Sequence, residues 1–212
     1  MLPKQLFPSM LECFRSPPVN SSVMPLLNSM HVPEDILDFM MRWRRKSDAY
    51  DYKRVEDCFD GLFTAFVLYN FLYDLICEYD PIHYPQSGDR QRATEVVLSF
   101  LGPETIATNA DLRRSADSIR QLVENGTFYL RGDRWDAQRV SGLISPDSHT
   151  WASALLQVLY QIRCNTFHGR KQFRPVQKRI LVPSIKALET INDMLMQKIA
   201  GDGQLADIHH AA

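Results

Sequence analysis

The sequence predicts an all-α bundle of about five to six helices behind an irregular, proline-rich N-terminal arm. Three observations carry this. Apolar residues recur at steps of three and four over the long stretch from Arg54 to about Tyr79. The same spacing returns in shorter stretches at 112–123, 151–162 and 185–199. Residues that start or stop helices stand between these stretches: Pro33, Asp80-Pro81, Gly102-Pro103, Asn109, Gly126 and Gly169.

The arm, residues 1–32, holds Pro3, Pro8, Pro17, Pro18 and Pro25. Proline lacks a backbone donor and disfavours helix at the residue before it. A first helix begins at Pro33, with Glu34 and Asp35 suited to the positive helix start. It buries Ile36, Leu37, Phe39, Met40 and Trp43 and closes on Arg42, Arg44, Arg45 and Lys46. The second helix, Arg54 to Tyr79, carries one strip of Val55, Phe59, Leu62, Phe63, Phe66, Tyr69, Tyr73 and Ile76 and another of Val67, Leu68, Phe71, Leu72 and Leu75. A helix apolar on most sides is surrounded by others, so this one is central.

Residues 90–101 form a third helix. A fourth, Ala110 to Asn125, is capped by Asn109 and closed by Gly126. Residues 127–147 show no clear period, and Phe128-Tyr129-Leu130 before Arg131-Gly132-Asp133 fits a short hairpin. Ser148 or Thr150 caps the next helix, which ends near Gly169. The last covers at least Ser184 to Ile199, and Pro183 either starts or kinks it. The helical domain is therefore 33–200, with 201–212 a polar, frayed tail.

Net charge is −1 over 212 residues, so any nucleic acid must be attracted by local clusters rather than by overall charge. Cys13, Cys58, Cys77 and Cys164 form no C-x-x-C pair, which disfavours zinc and thioredoxin-type chemistry and fits a reducing, cytoplasmic setting. No signal peptide is legible. The apolar run Gly61 to Cys77 approaches the length of a membrane span, but it contains Asn70 and Asp74 and is flanked by Asp57, Asp60 and Glu78. It reads as a buried core helix, with no membrane partner.

The segment Arg163-Cys164-Asn165-Thr166-Phe167-His168-Gly169 has the pattern R-x4-H at the end of a helix. With the aromatic helix Phe63-Thr64-Ala65-Phe66-Val67-Leu68-Tyr69-Asn70-Phe71-Leu72-Tyr73, it resembles the HEPN family (higher eukaryotes and prokaryotes nucleotide-binding domain), in particular its Apea-like branch. The resemblance spans about residues 54–199. It implies a HEPN-like bundle and a metal-independent endoribonuclease, without cofactor, acting as a toxin or phage-defence effector. It also implies a homodimer that pools the motifs of two chains in one cleft, and an antitoxin protein as a further partner.

The residue types suit that chemistry. Cutting RNA without metal uses the 2′-hydroxyl as nucleophile. Histidine titrates near neutrality, so His168 would be the general acid or base. A guanidinium matches the equatorial oxygens of a phosphorane, so Arg163 would clamp the phosphate. Asn165 would orient the imidazole or bind a phosphate oxygen. Arg170, Lys171 and Arg174 would hold flanking phosphates. Arg42, Arg44 and Arg45 form a second basic cluster, with Trp43 beside it for stacking.

Arg163 and His168 are five residues apart, about 140° around a regular helix. Either the helix distorts near Asn165 or another chain completes the site; the resemblance implies the second. Plainer readings stand beside these. His168 is also favourable against a helix C-terminal dipole, and Arg163 fits a surface position. Asn165 fits a cap, and the basic cluster at 42–46 fits a solvated helix end. Asn70 either supports the motif helix or ties two helices together. Two other functions stay open: a non-catalytic HEPN module that binds nucleotides or proteins, and a structural adaptor in which Arg163 and His168 are salt-bridged or covered.

Overall fold

A computed structural model describes residues 32–84, 88–130, 136–167 and 175–209, with the backbone course alone for 201–209. Among the described residues there is no strand, and the fold is an all-α bundle. The helices are α1 (Glu34–Asp48), α2 (Val55–Tyr79), α3 (Asp89–Gln91, a π turn Arg92–Val96, then Val97–Leu101), α4 (Pro103–Thr108), α5 (Ala110–Glu124), α6 (Asp136–Ser141, running into a 3-10 turn Gly142–Ile144), α7 (Ser148–Phe167) and α8 (Lys178–His209, behind a 3-10 turn Pro175–Gln177).

The central helix is α2. Its residues Leu62, Leu72 and Ile76 are fully buried, as is Cys58, and α8, α1 and α3 enclose it. This helix is long and apolar enough to cross a membrane, yet it lies largely buried in the bundle. Cys58 and Cys77 fill core space as small apolar groups. A buried amide bond, from Asn192 Nδ2 to the Ala65 carbonyl at 2.9 Å, pins α8 to α2. Gly61 admits the Tyr52 ring against α2, since a Cβ there would stand 2.6 Å from Tyr52 Cε1.

The boundaries follow their chemistry. Asn109 Oδ1 accepts from the amides of Asp111 and Leu112, and Gly126 ends α5 at φ +72°. Gly102 (φ +87°) and Pro103 stop α3 and start α4. Helices α4 and α6, at six residues each, are too short for a periodic apolar face to announce them in the sequence.

Two expectations are corrected. Phe128 and Leu130 are buried on either side of an exposed Tyr129, and the Phe128 amide bonds the Leu122 carbonyl at 2.9 Å. They plug the core as a loop, and no hairpin forms among the described residues. Asp147, rather than Ser148 or Thr150, caps α7: its Oδ2 accepts from the Thr150 amide at 2.7 Å and the Thr150 hydroxyl at 2.6 Å. Helix α8 contains the expected stretch 184–199, starts earlier, at Lys178, and holds Pro183 inside it, with Ile180 and Leu181 buried in the core. Its backbone is helical to His209. The arm at 1–31 lies outside the described residues.

The π turn of α3 packs on α2 and α7. Widening a helix by one residue leaves backbone carbonyls without their usual donors. Here the Tyr69 hydroxyl donates to the Ala93 carbonyl from α2. Burial holds the Tyr69 pKa well above the ordinary tyrosine value, so the hydroxyl remains a donor.

Candidate active site

Helix α7 carries Tyr160, Arg163 and Phe167 on one face, spaced by three and four residues. The Arg163 guanidinium lies over both rings, 5.7 Å from the Tyr160 centroid and 5.4 Å from that of Phe167. Phe167 in turn packs on Phe63 and Phe66 of α2, at 5.5 and 6.0 Å between centroids. The arginine is therefore held along an aromatic wall, with its side chain 23% exposed.

Asp89, the first residue of α3, faces it. Its Oδ2 lies 3.4 Å from Arg163 Nη1 and accepts from the Tyr160 hydroxyl at 2.9 Å. Its Oδ1 accepts from Tyr73 of α2 at 2.5 Å. The Tyr73 oxygen also lies 2.9 Å from Asn70 Oδ1. Asn70 thus meets Tyr73 on its own helix and, among the described residues, is linked to α7 through Tyr73 and Asp89. Beside this set, Arg92 pairs with Asp74 and lies 5.6 Å from the Tyr73 ring centroid.

Three helices converge on one carboxylate. Burial pushes the Asp89 pKa up, but hydrogen bonds from Tyr73 and Tyr160 and the charges of Arg163 and Arg92 outweigh it and hold Asp89 below the ordinary aspartate value. Burial, reinforced by Asp89, raises both tyrosines, so they stay protonated donors. A depressed folded-state pKa stabilises above the unfolded value and is lost as pH falls through the folded one. Acid therefore loosens this junction only below the usual carboxylate range.

The ion pair does not saturate Arg163. One Nη meets Asp89 at 3.4 Å, a long contact for a charged pair, and among the described residues the buried Nε has no partner. A guanidinium has five donors, and among the described residues the bond to Asp89 engages one of them.

Of the sequence-predicted site residues that are described, Arg163 belongs to this cluster. Asn165 points elsewhere: its Oδ1 accepts from Gln161 Nε2 at 3.0 Å, along α7. His168, Arg170 and Lys171 lie outside the described residues, as does Arg174. α7 is regular through Asn165 to Phe167, so among the described residues the distortion considered at Asn165 is absent. The cluster near α1 is partly consumed. Arg44 pairs with Asp48 and, at 2.6 Å, with Asp193, while Lys46 sits 4.8 Å over the Trp43 ring. Among the described residues, no group of three His, Cys, Asp or Glu is gathered to hold a metal.

Sequence reasoning missed Asp89, Tyr73 and Tyr160. Tyr160 was accessible from its spacing, three residues before Arg163. Asp89 carried no local signal, since an acid in a first helical turn is ordinary. Asp89→Asn keeps the shape but removes the charge that holds Arg163. Any turnover that relies on Arg163 is expected to fall by about 10- to 100-fold, chiefly in kcat, with the circular-dichroism spectrum unchanged and Asp89→Glu restoring part of the rate. Equal rates for Asp89→Asn and wild type would show that Arg163 needs no such support.

Over 104 residues, 44% of this chain, the sequence is 35% identical to the exodeoxyribonuclease 7 large subunit of Shewanella denitrificans. The match spans 22% of that protein's length. No family model and no solved structure matches the chain.

Proposed function

We propose that the chain is a metal-independent endoribonuclease of HEPN type, cleaving RNA by attack of the 2′-hydroxyl in a cleft shared by two protomers. One observation carries the reading. Arg163, near the end of α7, is held in place by Asp89 and an aromatic wall, with one donor engaged among the described residues, and His168 follows five positions later in the sequence. A positioned cation with open donors suits a phosphate whose charge grows in the transition state. The unbroken course of α7 through Phe167 supports completion of the site by a second chain, the pair being too far apart around one helix. The partial match to an exodeoxyribonuclease subunit supports phosphodiester hydrolysis in general.

In this mechanism His168 of one protomer takes the proton of the 2′-hydroxyl. Its oxygen attacks phosphorus, the bond to the 5′-oxygen breaks, and a second histidine protonates that oxygen. The products are a 2′,3′-cyclic phosphate and a 5′-hydroxyl. Arg163 steadies the phosphorane. The biological setting proposed is a toxin or phage-defence system with an antitoxin partner.

Purified protein incubated with RNA in EDTA is expected to cleave at an undiminished rate. The same oligonucleotide with 2′-deoxyribose at the cut site is expected to survive. Cutting of the deoxy substrate overturns the mechanism and turns attention to the DNA-directed relative. A second reading, a structural or binding module, is favoured by the ion pair of Arg163 with Asp89. It predicts no cleavage of any RNA, and an Asp89→Asn protein with lowered stability alone.

A further inference from the structure

A trough of about 1040 Å³ runs between α5 and the first half of α8. Its α8 wall presents Lys178, Arg179 and Lys186, and its α5 wall presents Ser118 and Gln121. We infer that this trough binds the sugar–phosphate backbone of single-stranded RNA and feeds the strand to the motif. The inference rests on the endoribonuclease reading and adds to it a substrate track remote from Arg163.

Charge is the first argument. The carboxylates around the trough are occupied by their own partners. Asp193 is held by Arg44, Asp111 by Arg114, and Glu189 by the hydroxyls of Ser47 at 2.6 Å and Tyr52 at 2.9 Å. Arg179 and Lys186 are exposed and, among the described residues, have no ion-pair partner. Lys178 donates to the Lys53 carbonyl at 3.0 Å and keeps its charge at the trough. A chain of net charge −1 thus gathers unpaired cations along one wall.

Spacing and lining are the second argument. Lys178 and Lys186 stand about two helical turns apart, roughly 12 Å along the axis, so the wall offers a row of charges rather than a point. Among the described residues that line the trough there is no aromatic ring. It can hold phosphates and riboses through cations, hydroxyls and amides but offers no platform for stacking bases. Binding there is therefore indifferent to sequence.

Connectivity is the third. Pro175, on the trough's rim, directly follows Arg174. The eight residue steps from Phe167 to Pro175 reach at most about 30 Å, so a few nucleotides suffice to bridge the trough and the motif helix.

The test uses full-length protein and a fluorescent single-stranded RNA that is 2′-O-methylated throughout, which cannot be cut by 2′-attack. Binding is followed by anisotropy from about 50 to 200 mM salt. Three backbone contacts predict a slope of log affinity against log salt near −2, at roughly −0.7 per contact. Arg179→Gln with Lys186→Gln is expected to bind about tenfold more weakly at low salt and to flatten the slope by about 1.4. Arg179→Lys with Lys186→Arg is expected to keep the wild-type slope. Lys53→Gln, an exposed lysine outside the trough, is expected to change neither. Both trough side chains are exposed, so coincident melting curves check the fold.

Unchanged affinity and slope in the double Gln variant overturn the inference, as does an equal effect from Lys53→Gln. Wild-type protein that fails to bind the RNA also overturns it and leaves the trough to an acidic protein. The two readings fail separately. RNA bound with the expected slopes but never cut sinks the nuclease; RNA cut with slopes untouched in the double variant sinks the trough.

Discussion

An Arg163→Ala protein is expected to cleave RNA at least about 100-fold more slowly than wild type while keeping its helical content. The magnitude follows from removing a positioned donor that meets charge present mainly in the transition state, an effect of about 10²–10³ in kcat at comparable sites. Substrate affinity should move less, because in the proposed trough other cations would hold the flanking phosphates. The structural cost is small. Asp89 retains the hydroxyls of Tyr73 and Tyr160, so it does not become a buried orphan when Arg163 goes. Arg163→Lys is expected to recover little, since a point charge lacks the fork. Quench-flow or gel-based single-turnover rates measure this. A fully active Arg163→Ala protein would place the chemistry elsewhere.

Trp151→Ala carries the largest stability effect expected. The side chain is 1% exposed near the start of α7, and the Arg113 guanidinium lies 4.0 Å from its ring centroid. Truncating a buried tryptophan removes its transfer free energy and leaves a cavity, together about 3–5 kcal/mol. Domains hold only about 5–15 kcal/mol in total. At about 2–4 °C per kcal/mol for a chain of this size, the melting midpoint should fall by about 6–20 °C. Arg113 would lose its aromatic face but keep its bond to the Ala107 carbonyl, 2.6 Å from Nε. Thermal melts followed at 222 nm decide it; a drop below about 3 °C would mean the ring is not a core element.

The two expectations rest on features that the sequence displays to different degrees. The core helices are legible in it, because the spacing of Phe59, Leu62, Phe66, Tyr69, Tyr73 and Ile76 states a face directly, and all six are buried. Phe63, on the same spacing, is half exposed, since it lies at the margin where α2 meets Phe167. Caps are less legible. Asn109 has a single candidate geometry, whereas Asp147, Ser148 and Thr150 compete within four positions. For the site, the motif names Arg163 but not its support. Asp89 lies 74 residues away in sequence, and only the tertiary fold brings the two together. Asn165 turns along its own helix for a local reason: Gln161, one turn earlier, donates to its Oδ1.

The π turn of α3 gives the site an unusual dependence on length. One extra residue sits between Asp89 at the head of the helix and Val97, Leu98 and Leu101, which are buried at its foot. Each residue turns a helix by about 100°, so the head and the foot are in phase only while that residue is present. Side chains within Arg92–Val96 can vary and leave the phase untouched, whereas losing one residue would rotate Asp89 away from Arg163 with the core still intact. The arginine's alignment is in this sense a matter of reading frame within a helix, set by how many residues the turn holds.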